Sequence, residues 1–252
     1  MELLSYETVS LLFIVALTAG FIDTIAGGGG LLTIPALLYI GLSPSSALAT
    51  NKLQGTVGTL TSSFYFIKNK LVDVKEMKWM IFTSFIGSAI GTLAILWLDS
   101  SLLTRVMPFL LVGVGAYFLL SPKIGEMEKA KRISVVAYSF TLAFVIGFYD
   151  GFFGPATGSF FAVSIVFFLG AHLSKATAQA KVLNFVSNLS SLIFFILYGE
   201  IFWLVGCVMM CGQVVGALMA SKMVVRKGAQ IIKPLIVFVS FAVAVKLFLD
   251  TQ

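Results

Sequence analysis

Apolar positions run along this chain in blocks. Segments at about 9–26, 31–40, 46–67, 79–98 and 102–120 carry few charges, and a second series follows at about 133–153, 158–169, 173–197, 201–221 and 231–249. Most approach the ~20 residues that cross a ~30 Å hydrocarbon core as a helix. In lipid the backbone must satisfy its own hydrogen bonds, so each block predicts a helix. The second block of each series is short: ten residues of helix reach about 15 Å, half of that core, and whether it spans or re-enters stays open. It follows a glycine-rich break, Gly27-Gly28-Gly29-Gly30 in one series and Gly154-Pro155-Ala156-Thr157-Gly158 in the other. Such a run forfeits helix stability and opens the backbone. Open backbone at membrane depth survives only against protein or a watery cavity.

The two series are a repeat. Gly20-Phe21-Ile22-Asp23 returns as Gly147-Phe148-Tyr149-Asp150, 127 residues on, and Gly27 returns as Gly154. At offset 129, Ala47, Ala49, Lys52, Leu60, Ser62, Phe66 and Ile67 match Ala176, Ala178, Lys181, Leu189, Ser191, Phe195 and Ile196. Gly87-x-x-x-Gly91 matches Gly212-x-x-x-Gly216, and Pro108 matches Pro234. The halves are read as 1–121 and 133–252, joined by a cytoplasmic linker at 122–132.

Charge chooses between two topologies. Of 17 Lys+Arg, 12 fall in three short loops: Lys68, Lys70, Lys75, Lys78; Lys123, Lys129, Lys131, Arg132; and Lys222, Arg226, Lys227, Lys233. If each short block continues the first helix through the membrane, the later two basic loops fall on opposite sides. If it turns back, each half has an odd count, all three loops share a side, and Glu2, Glu7, Asp99, Glu200 and Asp250 lie opposite. The positive-inside rule selects the second parse. An odd count inverts the halves, a common secondary-transporter plan with broken helices near the midplane.

Composition removes the soluble alternatives: 59% of the 252 residues are hydrophobic and 11% charged, against about 25% charged in a soluble domain. The first segment has no basic residue before it, unlike a secretory signal. The +6 charge sits in loops, so it is no nucleic-acid footprint. One histidine and two cysteines make no metal cluster, and no cofactor is implied. Cys207 and Cys211, four apart, share a helix face and suit packing better than a disulfide. The GxxxG pairs predict close helix packing, and Trp79 and Trp203 fit an interfacial belt.

The candidate chemistry lies in matched polar residues. Asp23 and Asp150 each precede a glycine break by four residues. A carboxylate in an apolar segment is costly and marks a coupling group for protons or cations, or else it merely satisfies the N–H groups of the break. Lys52 heads a stripe through Gly55, Thr59 and Ser62, and Lys181 heads Asn184, Asn188 and Ser191 at the same steps. That spacing is one helix face, and lipid would not tolerate it outside the bundle. An ammonium there could hold an anion, with Asn51, Gln54 and Gln179 nearby, or it could snorkel to the interface. The N–H groups at Gly28, Gly29 and Gly30 would form an anion cradle if a half-helix begins there. No hydrolase or nucleotide motif is present, although two aspartates sharing a proton leave an intramembrane enzyme open.

The stretch Gly20-Phe21-Ile22-Asp23-Thr24-Ile25-Ala26-Gly27-Gly28-Gly29-Gly30-Leu31-Leu32-Thr33-Ile34-Pro35, with Ala49-Thr50-Asn51-Lys52-Leu53-Gln54 and Gly147 through Pro155, resembles the sulfite exporter TauE/SafE family (4-toluene sulfonate uptake permease type), above all its YfcA-type membrane transporters. The resemblance runs from about Leu11 to Leu249. It implies carriage of small anions such as sulfite or sulfonates and supplies no site residue. The sequence therefore reads as an all-α polytopic protein of the bacterial inner membrane with roughly eight to ten segments in two inverted repeats, both termini periplasmic. Its expected work is gradient-coupled transport of a small anion by alternating access, with a passive anion channel as the rival. Lipid is its solvent, nucleic acid is no partner, and a homo-oligomer stays open.

Overall fold

A computed structural model of the chain describes residues 5–98 and 130–227. The segments expected at 102–120 and 231–249, the repeat boundary near 121 and the Pro108–Pro234 match lie outside the described residues. Eight helices follow in order: α1 Tyr6–Ala26, α2 Gly30–Tyr39, α3 Pro44–Lys68, α4 Lys78–Leu96, α5 Val135–Phe152, α6 Thr157–Leu169, α7 Leu173–Tyr198 and α8 Trp203–Lys227. Their ends agree with the apolar blocks to within a few residues, α8 running further at its C-terminus. Caps set several starts: the hydroxyls of Ser5, Ser43 and Ser134 accept the N–H of Thr8, Ser46 and Ala137, and His172 Nδ1 accepts that of Ser174. The π-turns at Ser139–Ala143 and Ile165–Leu169 had no sequence signal that we read.

Five helices, α1, α4, α5, α7 and α8, are long and apolar enough to cross a bilayer. Helix α3, 25 residues, is about 37 Å long, long enough to span as well, although its polar stripe lowers its hydropathy. The packing pattern repeats itself when the halves are exchanged. Helix α1 lies along α8 as α5 lies along α4; α3 packs on α8 as α7 packs on α4; and α3 meets α7 at the centre.

Glycine contacts give the directions. Gly212 meets Phe13 and Leu17, and Gly216 meets Leu17 and Phe21, so α1 and α8 run in parallel. Gly87 meets Phe144 and Phe148, and Gly91 meets Phe148 and Phe152, so α4 and α5 are parallel too. Gly206 meets Thr50 and Leu53 while Gly58 meets Gln213, which aligns α3 with α8. Short turns at 69–77 and 199–202 reverse the chain before α4 and α8. Helices α1, α3 and α8 therefore oppose α4, α5 and α7, and the halves are inverted. Because α1 and α3 run the same way, α2 must return the chain to the end where α1 began. The short segments are re-entrant.

Apolar clusters mark the two ends. Leu12 and Ala16 of α1, Leu37 of α2, Ala47 of α3 and Val205 and Met209 of α8 pack together at one. Ile25 at the tip of α1 packs at the other, with Phe66, Met80, Tyr138, Leu173 and Val224.

The GxxxG glycines sit so close to the facing backbone that a Cβ on Gly91 or Gly216 would overlap the carbonyl oxygen of Phe148 or Leu17. Gly91→Ala and Gly216→Ala should each force the helices apart, at about 1–3 kcal/mol. Cys207 and Cys211 are exposed on α8, a correction to the expectation that they pack: their side chains leave the helix on the side away from the bundle. Cys207→Ala is thus a neutral control on the same helix, and thermal unfolding in detergent compares the three.

Candidate functional site

The two breaks meet inside the protein. Gly27 closes α1 with φ +79° and its N–H on the Asp23 carbonyl, 2.7 Å away. Gly154 follows α5 with φ +99°, the left-handed region that a Cβ disfavours. Gly27 abuts the backbone of Gly158 and Ser159, Gly30 abuts Pro155, and the Ser159 hydroxyl donates to the Ala26 carbonyl. From this junction α2 and α6 run outward in opposite directions, so both present their N-termini and positive dipole ends to the centre, most of their first-turn N–H groups being closed on local carbonyls or on Asp23.

Depth along the helices decides which charges can pair. Asp23 lies 17 residues beyond Tyr6, about 26 Å down α1, whereas Lys52 lies 8 residues beyond Pro44, about 12 Å down α3. Both helices start at the same end, so within one half aspartate and lysine miss each other by about 14 Å. Inversion brings each level with its counterpart in the other half. Lys52 Nζ lies 2.9 Å from Asp150 Oδ2, and Lys181 Nζ lies 2.8 Å from Asp23 Oδ2. Lys52 also donates to the Asp150 carbonyl and to Asn188 Oδ1, the latter at 3.1 Å. The Gly29 N–H donates to Asp23 Oδ1 at 3.3 Å.

The two pairs differ in access. Lys52 and Asp150 are both sealed at 1% exposure. Lys181 is sealed likewise, but Asp23 keeps 16% of its side chain open and lines a polar cavity of about 30 Å³, room for one or two waters or a small ion. Asn51, Gln54, Asn184, Asn188, Gly29 and Gly30 share that lining. Behind it, Thr33 and Gln54 donate to Asn51 Oδ1 at 2.6 and 2.7 Å, and Asn188 Nδ2 donates to Asn184 Oδ1 at 3.1 Å.

The sequence-predicted residues are therefore gathered around this junction, but not all of them line the cavity, and Asp150 is sealed off it with Lys52. Gly28 is outside the lining, its carbonyl closing the first turn of α2 on the Leu31 N–H. Gln179 is buried away from the cavity. The lysines stand behind the cavity wall, neutralised by the aspartates; at 1% exposure they do not snorkel. Asp23 and Asp150, each held by its own lysine, are no proton-sharing dyad, which removes the basis of the enzyme alternative. Gln213 was missed. It sits in the notch left by Gly20 and Gly58, where a Cβ would come within 2.6 and 2.7 Å of its Oε1, and it lines the cavity. Being the sole amide of α8, it carried a signal, masked by the adjacent GxxxG. Among the described residues no His, Cys, Asp or Glu cluster could hold a metal.

The family model described as sulfite exporter TauE/SafE matches residues 12–247. A probable membrane transporter, YfcA of Escherichia coli K12, is 47% identical over 96% of this chain and 90% of its own length. A probable membrane transporter of Haemophilus influenzae is 45% identical over 97% and 96%. YunE of Bacillus subtilis, also a probable membrane transporter, is 23% identical over 77% of this chain and 80% of its own. No solved structure gives a significant match.

Proposed function

This chain belongs to the TauE/SafE family and is a membrane transporter, and from that premise we propose that it carries a small sulfite- or sulfonate-like anion, coupled to protons, by alternating access. The observation that supports the reading is the pair of lysine–aspartate bridges, each joining the two halves beside one polar cavity. Each bridge is neutral as it stands. A proton on Asp23 would leave the Lys181 ammonium buried without compensation, which is costly. An anion entering the cavity, held also by amide N–H groups and the N-termini of α2 and α6, would restore the balance. Proton and anion then favour each other's binding, and reciprocity makes the coupling run both ways. The inverted halves supply the second state, in which the Lys52–Asp150 pair takes the accessible place and Asp23 is sealed.

The test is flux. In proteoliposomes carrying the purified chain, an inward proton gradient should accumulate sulfite or methanesulfonate above equilibrium. Simple equilibration, indifferent to the gradient, would make the protein a channel.

The same reading places the bacterial inner membrane around the helices. Among the described residues, the basic residues Lys68, Lys70, Lys75, Lys131, Arg132 and Lys175, in loops or helix ends, lie at the end where α4, α5 and α7 begin, and Glu7 and Glu200 lie at the other. The positive-inside rule makes the first end cytoplasmic and puts the start of α1 outside; the expected periplasmic C-terminus lies outside the described residues. With Cys207 and Cys211 changed to Ala, Glu200→Cys should react with a membrane-impermeant maleimide in intact cells, and Asp73→Cys only after permeabilisation. The reverse labelling would invert the assignment.

A further inference from the structure

The amides beside the cavity are not equally free to turn. A lysine ammonium only donates hydrogen bonds, so the atom that Asn188 presents to Lys52 must be its carbonyl oxygen. That commits Asn188 Nδ2 to the other side, where it meets Asn184 at 3.1 Å. The atom that receives it must be the Asn184 oxygen. Asn184 Nδ2 is thereby turned outward. It finds no acceptor among the described residues, and Asn184, 5% exposed, lines the cavity. A Cβ on Gly158 would stand 3.3 Å from this nitrogen and 2.8 Å from Lys181 Nζ, so the unspent amide, the lysine and the start of α6 converge on one place.

The first half has no such chain. The residues matching Asn184 and Asn188 are Gly55 and Thr59. Its own amides, Asn51 and Gln54, are reached through Thr33, whose hydroxyl can donate or accept. That pair can reverse together, and Gln54 Oε1 is left without a partner. Polarity is pinned on the α7 side alone.

We propose that Lys52, acting through Asn188, fixes Asn184 as an obligate N–H donor, and that this donor makes the cavity choose anions whose oxygens are all acceptors over isosteres that carry a hydroxyl. The proposal rests on the anion-carrier reading and adds a selection rule to it. A hydroxyl turned toward Asn184 is a weaker acceptor than an anionic oxygen, and its own proton then lies among donors, the Lys181 ammonium and the start of α6, a mismatch that rejects more strongly than a missing methyl group. Asn184 is the specificity-determining residue and Asn188 its positioning residue.

The probes are methanesulfonate and hydrogen methylphosphonate, compared at mildly acidic pH where each is singly charged and they differ by one hydroxyl. Titration of the purified full chain, read as anion-induced thermal stabilisation, should give a preference for methanesulfonate of at least about tenfold. In Asn188→Leu the Asn184 amide is intact but free to turn, and the preference should collapse toward parity while methanesulfonate still binds. In Asn184→Asp an oxygen faces the cavity and the preference should fall or reverse; Asn184→Ser serves the same purpose if the acid impairs folding, and Asn188→Ser if the leucine does. If methanesulfonate binds and the preference is absent in the wild type, or unchanged in the folded variants, the selection rule is wrong and the carrier reading stands. If neither anion stabilises the wild type, the carrier reading fails and takes the rule with it.

Discussion

Replacing Lys52 by Met should cost more stability than any other single change proposed for this protein. The substitution keeps the stem and removes the charge, leaving the Asp150 carboxylate at 1% exposure without its partner. Breaking one side of a buried ion pair typically costs about 3–5 kcal/mol, because the surviving charge is stranded in a medium that cannot solvate it. The loss should reverse when both charges go: Lys52→Met with Asp150→Asn should recover much of the stability of either single variant. Lys181→Met should cost less, since Asp23 reaches the cavity and can recruit water. Thermal unfolding of the four variants in detergent decides it. A Lys52→Met protein as stable as wild type would show that the bridge contributes nothing to the fold.

The largest functional effect belongs to Asp23→Asn. Asparagine has nearly the same shape, and its oxygen can still accept the Gly29 N–H that Asp23 Oδ1 accepts now, so the break should keep its form. What disappears is the charge that balances Lys181. The uncompensated ammonium then favours a bound anion at any pH, and methanesulfonate affinity should rise about tenfold, the worth of one charge-assisted contact. Proton-driven uptake should vanish, because no group at the cavity changes charge with the gradient. Binding by thermal shift and uptake into proteoliposomes under an imposed pH gradient measure the two halves of the prediction. Undiminished gradient-driven uptake would end the coupling role of Asp23.

Gln213 shows why part of the site escaped the sequence. Its neighbours Gly212 and Gly216 announce close packing, and that signal hides an amide whose role depends on Gly20 and Gly58, 193 and 155 residues away. The cysteines failed for a related reason. Spacing puts Cys207 and Cys211 on one face, but spacing cannot say whether that face looks into the bundle or out of it.

What the sequence determined by itself is everything written in local periodicity and in the repeat. Apolar block length placed eight described helices to within a few residues for nearly every end, because a bilayer leaves the backbone no alternative to a helix of fitting length. The basic loops chose the down-and-back, inverted parse, and matched Asp, Lys and glycine positions marked residues that meet where the two halves join. The tertiary structure alone decided how those charges are spent. Lys52 and Asp150 are 98 residues apart and Lys181 and Asp23 are 158 apart. They meet because two antiparallel copies place each lysine at the depth its own aspartate overshoots. The orientation of Asn184 follows from a hydrogen-bond chain that starts at Lys52 in the other half. Depth and hydrogen-bond direction are properties of assembled helices, so no pattern along a single chain segment could have carried them.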